Sequence, residues 1–519
     1  MRNLRSSVSA LTLGAILSTS LILGGCGEKN KSETVKIEKV KPRKVNTEEA
    51  EKALKLMALN ESGSGDVAWS ARAGTGGNYT FSDFANDSKD GDKGAFSSFE
   101  IKGVHMEDEA PAFDQMVFND FAGTDDDGSK ITIANITLTE PSPALAAAIT
   151  RSFNGDDDAF DNIEGDVSFK ALSFSGLKVD DKDGIVSLAT LKMGKSKDDA
   201  GYFTLSDLDM DMLSDDGKKV IMQLGSIDVT GVNLGKYKGL ISAAMDNDGE
   251  VDADKMKQFM GSMNAYDPDF ESFSLNNFNM DVLGLKVNLD SLTGKTEKKG
   301  GKVIMSQTMS PLTITPPDET KDKDMQKLVE GLTSFGYDKL EFTMEQNSVL
   351  DEESDTMVVK DSYIQMKDGF KFSYDYDIVG YKAVAEKVQS LDGGGNANPM
   401  VVLGMMDELK FNHLRIALKD DSIIDRSFKF AAEQQGGTPD ALRSQAKMGL
   451  AFLPMMAKDE GQQKLASDLS AALGTLLDES GTLVIDMRPE EAVDFGALMQ
   501  GGMGGEIDIS ALGVTIETK

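Results

Sequence analysis

Between about residues 60 and 380, apolar residues recur at every second position. Leu172-Ser-Phe174-Ser, Ile131-Thr-Ile133-Ala-Asn-Ile136-Thr-Leu138 and Leu275-Asn-Asn-Phe278-Asn-Met280 set apolar groups on one side and Ser, Asn or Thr on the other. That period predicts β-strands with one apolar face. Asp-Gly pairs at Asp90, Asp127, Asp183, Asp216, Asp248, Asp368 and Asp392, together with Asn154-Gly155, predict two-residue hairpin turns, because these residues adopt positive φ readily. Only 12 prolines interrupt the pattern, so the segment reads as antiparallel hairpins sharing an apolar face.

Helical spacing frames the strands. Asn46 and Glu49 are spaced as a capping box, and Ala50, Ala53, Leu54, Met57 and Ala58 follow on one helix face. Three extended runs begin alike, at Gly128-Ser-Lys-Ile131, Gly217-Lys-Lys-Val220 and Gly301-Lys-Val303, and lead into helix-like segments at 143–150, 234–245 and 324–332. Residues 370–377, ahead of 381–389, read as a fourth copy. Meander-plus-helix units of this kind stack into one long sheet, the alternative being generic hairpins that resemble one another by chance. Beyond the Gly-rich stretch at 391–396 comes one strand, 411–418, and then helices. One spans 425–435 and ends at Gly436, a second opens at Thr438-Pro439, and a third carries Leu465, Leu469, Leu473 and Leu476 on one face. Segments 481–487 and 514–516 are expected to return to the sheet. The expected fold is α+β, a large, mainly antiparallel β-sheet of hairpin or meander repeats with interspersed helices and a helical C-terminal region. Its expected divisions are 1–25, 26–47, 48–391 and 392–519.

Composition narrows the function. The 519 residues carry 87 Asp plus Glu against 54 Lys plus Arg, a formal charge of −33. So acidic a chain argues against nucleic acid as a partner, since phosphate binding needs a basic patch. Hydrophobic residues at 40%, with 25 Phe and 28 Met, supply a sizeable core. Two His and one Cys leave little material for metal clusters, disulfides or a thiol nucleophile, and no cofactor is expected.

The single Cys is the most informative residue. Arg2 and Arg5 precede an apolar stretch from Leu11 to Leu23, shorter than the roughly 20 residues of a spanning helix. Leu23-Gly24-Gly25-Cys26 then resembles the lipobox of bacterial lipoproteins. The resemblance implies cleavage between Gly25 and Cys26, a thioether-linked diacylglycerol on the Cys26 sulfur and acylation of the new amino terminus. Two or more chains anchor stably, as each buried methylene contributes about 0.8 kcal/mol. An ordinary secretory signal with an incidental Cys is the competing reading. Gly27, rather than Asp, resembles cargo forwarded to the outer membrane, which puts the body in the periplasm; the inner membrane and the cell surface are the alternatives. Residues 28–47 form a tether of net charge +4, and setting it and the leader's +2 aside leaves −39 on residues 48–519. Beside anionic lipid each basic residue contributes about 1 kcal/mol, unless the segment is merely a soluble linker. The order Asp425-Arg426, Gln435-Gly436, Leu442-Arg443, Gly481-Thr-Leu, Pro489 resembles the carboxyl end of uncharacterised proteobacterial envelope proteins and implies no activity.

Other motifs are weaker. Asp246-Asn-Asp248-Gly249-Glu-Val251 resembles the middle of an EF-hand loop, but Ala244 and Lys255 stand where the loop needs Asp and a bidentate Glu. Asp246 and Asp248 are therefore weak metal candidates, and a solvated turn is the better reading. Acidic runs at 125–127 and 156–158 read as solubilising loops. Gly194-Lys195-Ser196 and Gly294-Lys295-Thr296 lack the upstream Gly of a phosphate loop, with Ala189 and Leu289 in its place. There is no Gly-x-Ser-x-Gly elbow, and 74–77 and 501–505 lack dinucleotide-site spacing. His105, beside Glu107, Asp108 and Glu109, and His413 read as partly exposed strand histidines, and Trp69 as a core or edge anchor. Met400, Met405, Met406, Met448, Met455 and Met456 pack a core or line an adaptable apolar groove.

These observations imply a lipid-anchored, non-catalytic envelope protein that binds an apolar ligand or lipid on a concave sheet face. A structural adaptor meeting an envelope protein through its acidic surface is the second expectation. A carboxylate-based hydrolase is the third.

Overall fold

The computed structural model describes residues 41–519, except 87–92, 125–127, 157–158, 161–162, 164, 166, 197–199, 214–217, 233–269, 383, 385–408, 458–459 and 496–508. The chain divides into two compact units between Gly235 and Lys236.

In the first unit α1 (Thr47–Leu56) leads into β1 (Val67–Ala68), β2 (Ala71–Thr75), β3 (Asn78–Asn86), β4 (Lys93–Lys102), β5 (His105–Glu107), β6 (Ala110–Ala112), β7 (Gln115–Thr124) and β8 (Lys130–Pro141). After α2 (Pro143–Phe153) come β9 (Phe169–Asp181), β10 (Gly184–Lys195), β11 (Gly201–Leu213) and β12 (Lys219–Val232). β3, β4 and β7 pair in turn, and each strand from β7 to β12 pairs antiparallel with the next. β1 and β2 flank β3, and β5 and β6 form a separate hairpin.

The core of this unit lies under the two helices. Asn46 caps α1 by accepting from the Glu48 amide at 2.9 Å, while Glu49 accepts from the Met106 amide at 3.2 Å and so ties the helix to β5. Ala53 and Leu54 of α1, its C-cap Met57, and Ile149 and Phe153 of α2 are buried against Phe81, Phe84, Phe99 and Ile101. Each such large side chain contributes about 1.5–3 kcal/mol on burial. Trp69 meets Phe81 edge-on at 4.9 Å, in keeping with an anchoring role. The last residues of the expected tether belong to this unit too. Arg43 donates through Nε to Asp114 Oδ1 at 2.8 Å, and Val45 packs on the core.

The second unit contains β13 (Ser272–Val282), β14 (Leu285–Lys299), β15 (Lys302–Thr315), α3 (Lys323–Ser334), β16 (Leu340–Asp351), β17 (Thr356–Met366), β18 (Phe370–Val379) and β19 (Lys410–Asp420). Then follow α4 (Ile423–Gln435), α5 (Pro439–Ala451), α6 (Glu460–Asp478), β20 (Thr482–Met487), β21 (Val493–Asp494) and β22 (Val514–Thr518). Each strand from β13 to β20 again pairs antiparallel with the next, β21 joins β19, and β22 joins β20. Thr438 caps α5, accepting from the Ala441 amide at 3.3 Å. Ala472 and Leu476 of α6 pack on Leu483 and Ile516, so the C-terminal helices cover the last strands.

Side-chain alternation departs from strict period two at one recurrent place. Asp83, Asp120, Gly176, Asp207, Asn277 and Asp361 sit mid-strand in β3, β7, β9, β11, β13 and β17 with φ of 51–64°. Pairing stays one-to-one across Asp83, with Ser82 opposite Ser98 and Phe84 opposite Phe96, yet both Phe81 and Phe84 are buried. The left-handed residue turns the next side chain back to the same face, so the apolar spacing becomes two, three, two. The same step, at Asn277, separates Leu275 from Phe278 in a run quoted above. Polar residues gather at it. Ser82, Ser98, Asn119, Asn135, Ser175, Thr190, Ser206 and Ser226 form a row from β3 to β12, each directly opposite the next. Asn119 Nδ2 donates to Ser98 Oγ at 3.0 Å and Asn135 Nδ2 to Asn119 Oδ1 at 2.9 Å.

Hairpin turns occur at two of the expected pairs, but neither seats Asp-Gly as its two central residues: Lys182-Asp183 joins β9 to β10 with Gly184 already paired to Asp181, and a three-residue loop, 367–369, joins β17 to β18 with Asp368 at φ 54°. Asn154-Gly155 is not a hairpin turn. It ends α2, with Gly155 at φ 87° and Asn154 Nδ2 donating to the Thr150 and Leu56 carbonyls. The preceding apolar run is helical, so the left-handed glycine serves as a helix stop. The pairs at Asp90, Asp127, Asp216, Asp248 and Asp392 fall outside the described residues.

Candidate functional site

Residues directly opposite one another in an antiparallel sheet share a face, and on the second unit two apolar rows arise this way. Phe278, Leu289, Leu312, Phe342, Met366 and Phe370 run across β13 to β18. Met280, Val287, Ile314 and Leu340 run beside them. All but Met366 are only half-buried. Six strands at a spacing of about 4.8 Å make this apolar shelf about 24 Å wide. Among the described residues, α6 packs on β20 and β22, α5 packs on α4 and α6, and the start of α4 is tied to the turn between Met366 and Phe370, where Ser422 Oγ and the Ile423 amide donate to the Asp368 and Gly369 carbonyls. Leu328 of α3 is itself exposed.

Beyond the mid-strand step, the same face becomes buried. Phe273, Leu292, Val303, Met305, Leu350, Val359 and Ile378 are all under 9% exposed, with Tyr381 packed on Val303, Met305 and Leu350. Three polar side chains interrupt this apolar ground. Gln307 is 0% exposed with neither amide atom hydrogen-bonded, and the buried Ser348 and Thr296 hydroxyls also have no partner. Register makes them neighbours. Thr296 stands opposite Met305 and Met305 opposite Ser348, while Gln307 stands one row along, between Gly294 and Gln346. Gly294 is required there because the Phe273 ring lies over it, with Cε1 2.2 Å from where a Cβ would be. Val359 and Tyr376 continue the Ser348 row. Burial, helped by the nearby Tyr374 and Tyr381, pushes the Tyr376 phenol up to about 12. The patch is therefore polar without charge.

The sequence-derived sites lie elsewhere. Gly25, Cys26, Asp246, Asp248, Met400, Met405 and Met406 fall outside the described residues. Met448, Met455 and Met456 pack no core: they are 62–77% exposed and form, with Phe452, an apolar tip at the end of α5. Gly194 and Gly294 lie within strands, which bars them from a phosphate-cradling loop. His105 is buried at 7% exposure, not half-exposed. The Arg43 guanidinium, which can only donate, lies 2.8 Å from His105 Nε2, so that nitrogen accepts and Nδ1–H donates to the Gly103 carbonyl at 2.8 Å. Gly103 is needed because the Asp114 carboxylate rests on it, 2.1 Å from where a Cβ would stand. This cluster docks the tether's end. His413 pairs with Asp486 at 3.0 Å on neighbouring strands. Among the described residues no group of three or more His, Cys, Asp or Glu is placed to hold a metal ion. Nor, among them, is any helix long and apolar enough to cross a membrane.

Sequence reasoning missed the Gln307 cluster, although a signal was present. Gln307 occupies an apolar position of the alternation Val303, Met305, Gln307, Met309, a place where a polar residue costs free energy unless it has a partner.

The architecture defines an α+β protein dominated by antiparallel sheet, with helices concentrated near the C-terminus. A family model described as "Uncharacterized protein" matches residues 363–519, from within β17 to the end of the chain. Comparison with curated proteins finds no match.

Proposed function

We propose that this chain is a lipid-anchored envelope protein, held through Cys26 at the periplasmic side of the outer membrane, that carries an apolar ligand on its sheet. One observation carries the binding part: the shelf of Phe278, Leu289, Leu312, Phe342 and Phe370, apolar side chains on one sheet face that are only half-buried. Contiguous apolar surface that is not packed away marks a site for a ligand or partner. The anchor rests on the Leu23-Gly24-Gly25-Cys26 motif. The function is non-catalytic in this reading, since neither the motifs nor the shelf bring a nucleophile or paired carboxylates together. The same reading takes the sheet as repeated meander-plus-helix units, supported by the helices that follow β8 and β15.

Protein purified from cells without added detergent is expected to release acyl lipid on denaturation, detected by mass spectrometry beyond the chains attached to Cys26. Ligand-free protein would overturn the carrier reading. Cys26→Ala should abolish incorporation of labelled fatty acid and leave the leader uncleaved; unchanged labelling would refute the anchor.

The exposed tip of Met448, Phe452, Met455 and Met456 favours a second reading, an adaptor that meets an envelope protein. It predicts a co-purifying protein that is lost in Met455→Glu/Met456→Glu, and retention of every partner would exclude it.

A further inference from the structure

Exposed apolar side chains are ordinary when they stand singly and informative when they gather. Among the described residues the four most exposed large apolar side chains are Met455 and Met456, each 77% exposed, Met448 at 62% and Phe452 at 59%. All four fall within 448–456, at the end of α5 and in the turn that follows it. That turn is built rather than loose. The Phe452 amide donates to the Gly449 and Leu450 carbonyls, Pro454 lies in the first turn of a short 3-10 helix (Leu453–Met456), and Ser470 of α6 donates through Oγ to the Leu450 carbonyl at 2.9 Å. Leu450, Leu453 and Pro454 are half-buried, while the other four point into solvent.

We infer that this tip enters the interface of the bilayer that holds Cys26, giving the chain a second membrane contact. The inference rests on the anchor reading and not on the carrier reading. Charge supports a lipid occupant. Residues 448–457 carry no charge in a chain of which 27% is charged, and the nearest cations behind them on α5, Arg443 and Lys447, are paired with Asp425 and Asp478. The tip thus leaves water without taking an unpaired ion along. A second copy is the poorer occupant, because each copy brings a formal charge of −33. Shape points the same way. The tip protrudes, and flexible thioether side chains need no matching pocket in a fluid acyl phase. The tether keeps that phase within reach. Residues 27–42 span at most about 55 Å at 3.3–3.6 Å each. Confinement of that kind gives effective concentrations on the order of millimolar, at which a shallow contact suffices. Apolar side chains in such contacts enter by about 5–10 Å, to the boundary of headgroups and acyl chains.

The test places a fluorophore on the tip of the mature lipidated chain, reconstituted in vesicles of phosphatidylcholine alone. Cys26 is the chain's only Cys, so Met455→Cys supplies the one free thiol for an NBD label. Its emission is expected to shift to the blue and to fall at least twofold when the vesicles contain lipid with doxyl groups high on the acyl chain. The same label at Gln434→Cys, exposed on α4 and separated from the tip by the length of α5, about 20 Å, should report water. Met455→Glu/Met456→Glu should abolish the shift read from a label at Met448→Cys, leave Tm unchanged because both side chains are exposed, and keep the chain on the vesicles through its lipid. A label at 455 that stays in water while the chain floats with the vesicles would overturn the tip contact and leave the anchor standing. Labelling of the unsubstituted chain, which means a free Cys26 thiol, would remove the anchor reading and this inference together. A blue shift seen only in native outer-membrane fragments would give the tip to an envelope protein, and one that grows with protein density at constant lipid would give it to a second copy. Either result overturns the bilayer contact.

Discussion

Asn277 stands in the middle of β13 with φ of 54°, a conformation that strands normally exclude. Asn and Asp tolerate it because their short polar side chains bond locally, whereas other side chains lose about 1–2 kcal/mol and β-branched ones fare worst. Asn277→Val is therefore expected to destabilise the chain by about 1–2 kcal/mol, and Asn277→Gly by no more than a few tenths, in urea denaturation. Equal losses would show that the φ angle is not what selects the residue. Sequence reading saw Asp and Asn here as the polar half of an alternation. It could not see that they reset the alternation, because a left-handed residue leaves no mark in composition. Gln307 was hidden for a related reason, since burial and the lack of a partner are properties of neighbours rather than of the residue.

At the scale of elements, the expected strands and helices were mostly legible. The α1 cap at Asn46, the α5 cap at Thr438 and the return strands β20 and β22 all follow from local chemistry. Pairing partners were less so, and with them the charges that pairing brings together. Asp486 on β20 illustrates this. Burial pushes its carboxyl up, but hydrogen bonds from Arg488 and from His413 on β19 outweigh that and hold it below the ordinary carboxylate range. A depressed carboxylate stabilises the fold above its unfolded pKa, near 4, and loses that contribution as pH falls through the lower folded value. Tm should thus fall between about pH 5 and pH 2, and Asp486→Asn should flatten part of that limb. An unchanged acid limb in the variant would show that the Arg488 and His413 contacts contribute nothing.

For the whole molecule, net charge dominates. At −33, self-repulsion opposes both compact units, and screening relieves it. Raising NaCl from about 10 mM to 0.15 M shortens the Debye length from about 30 Å to 8 Å and is expected to raise Tm by a few degrees; a lower Tm would mean that surface ion pairs outweigh the repulsion. What the sequence determined by itself was local. The period of its apolar positions, its turn and cap residues and its acidity dictated an antiparallel, sheet-dominated α+β chain, because those signals act within a few residues. The tertiary structure alone decided which residues stand opposite each other. It aligned the left-handed steps across strands, left the Met455 tip outside the core, and gathered Thr296, Gln307 and Ser348 on one buried face. Register is a relation between distant segments, and no local pattern carries it.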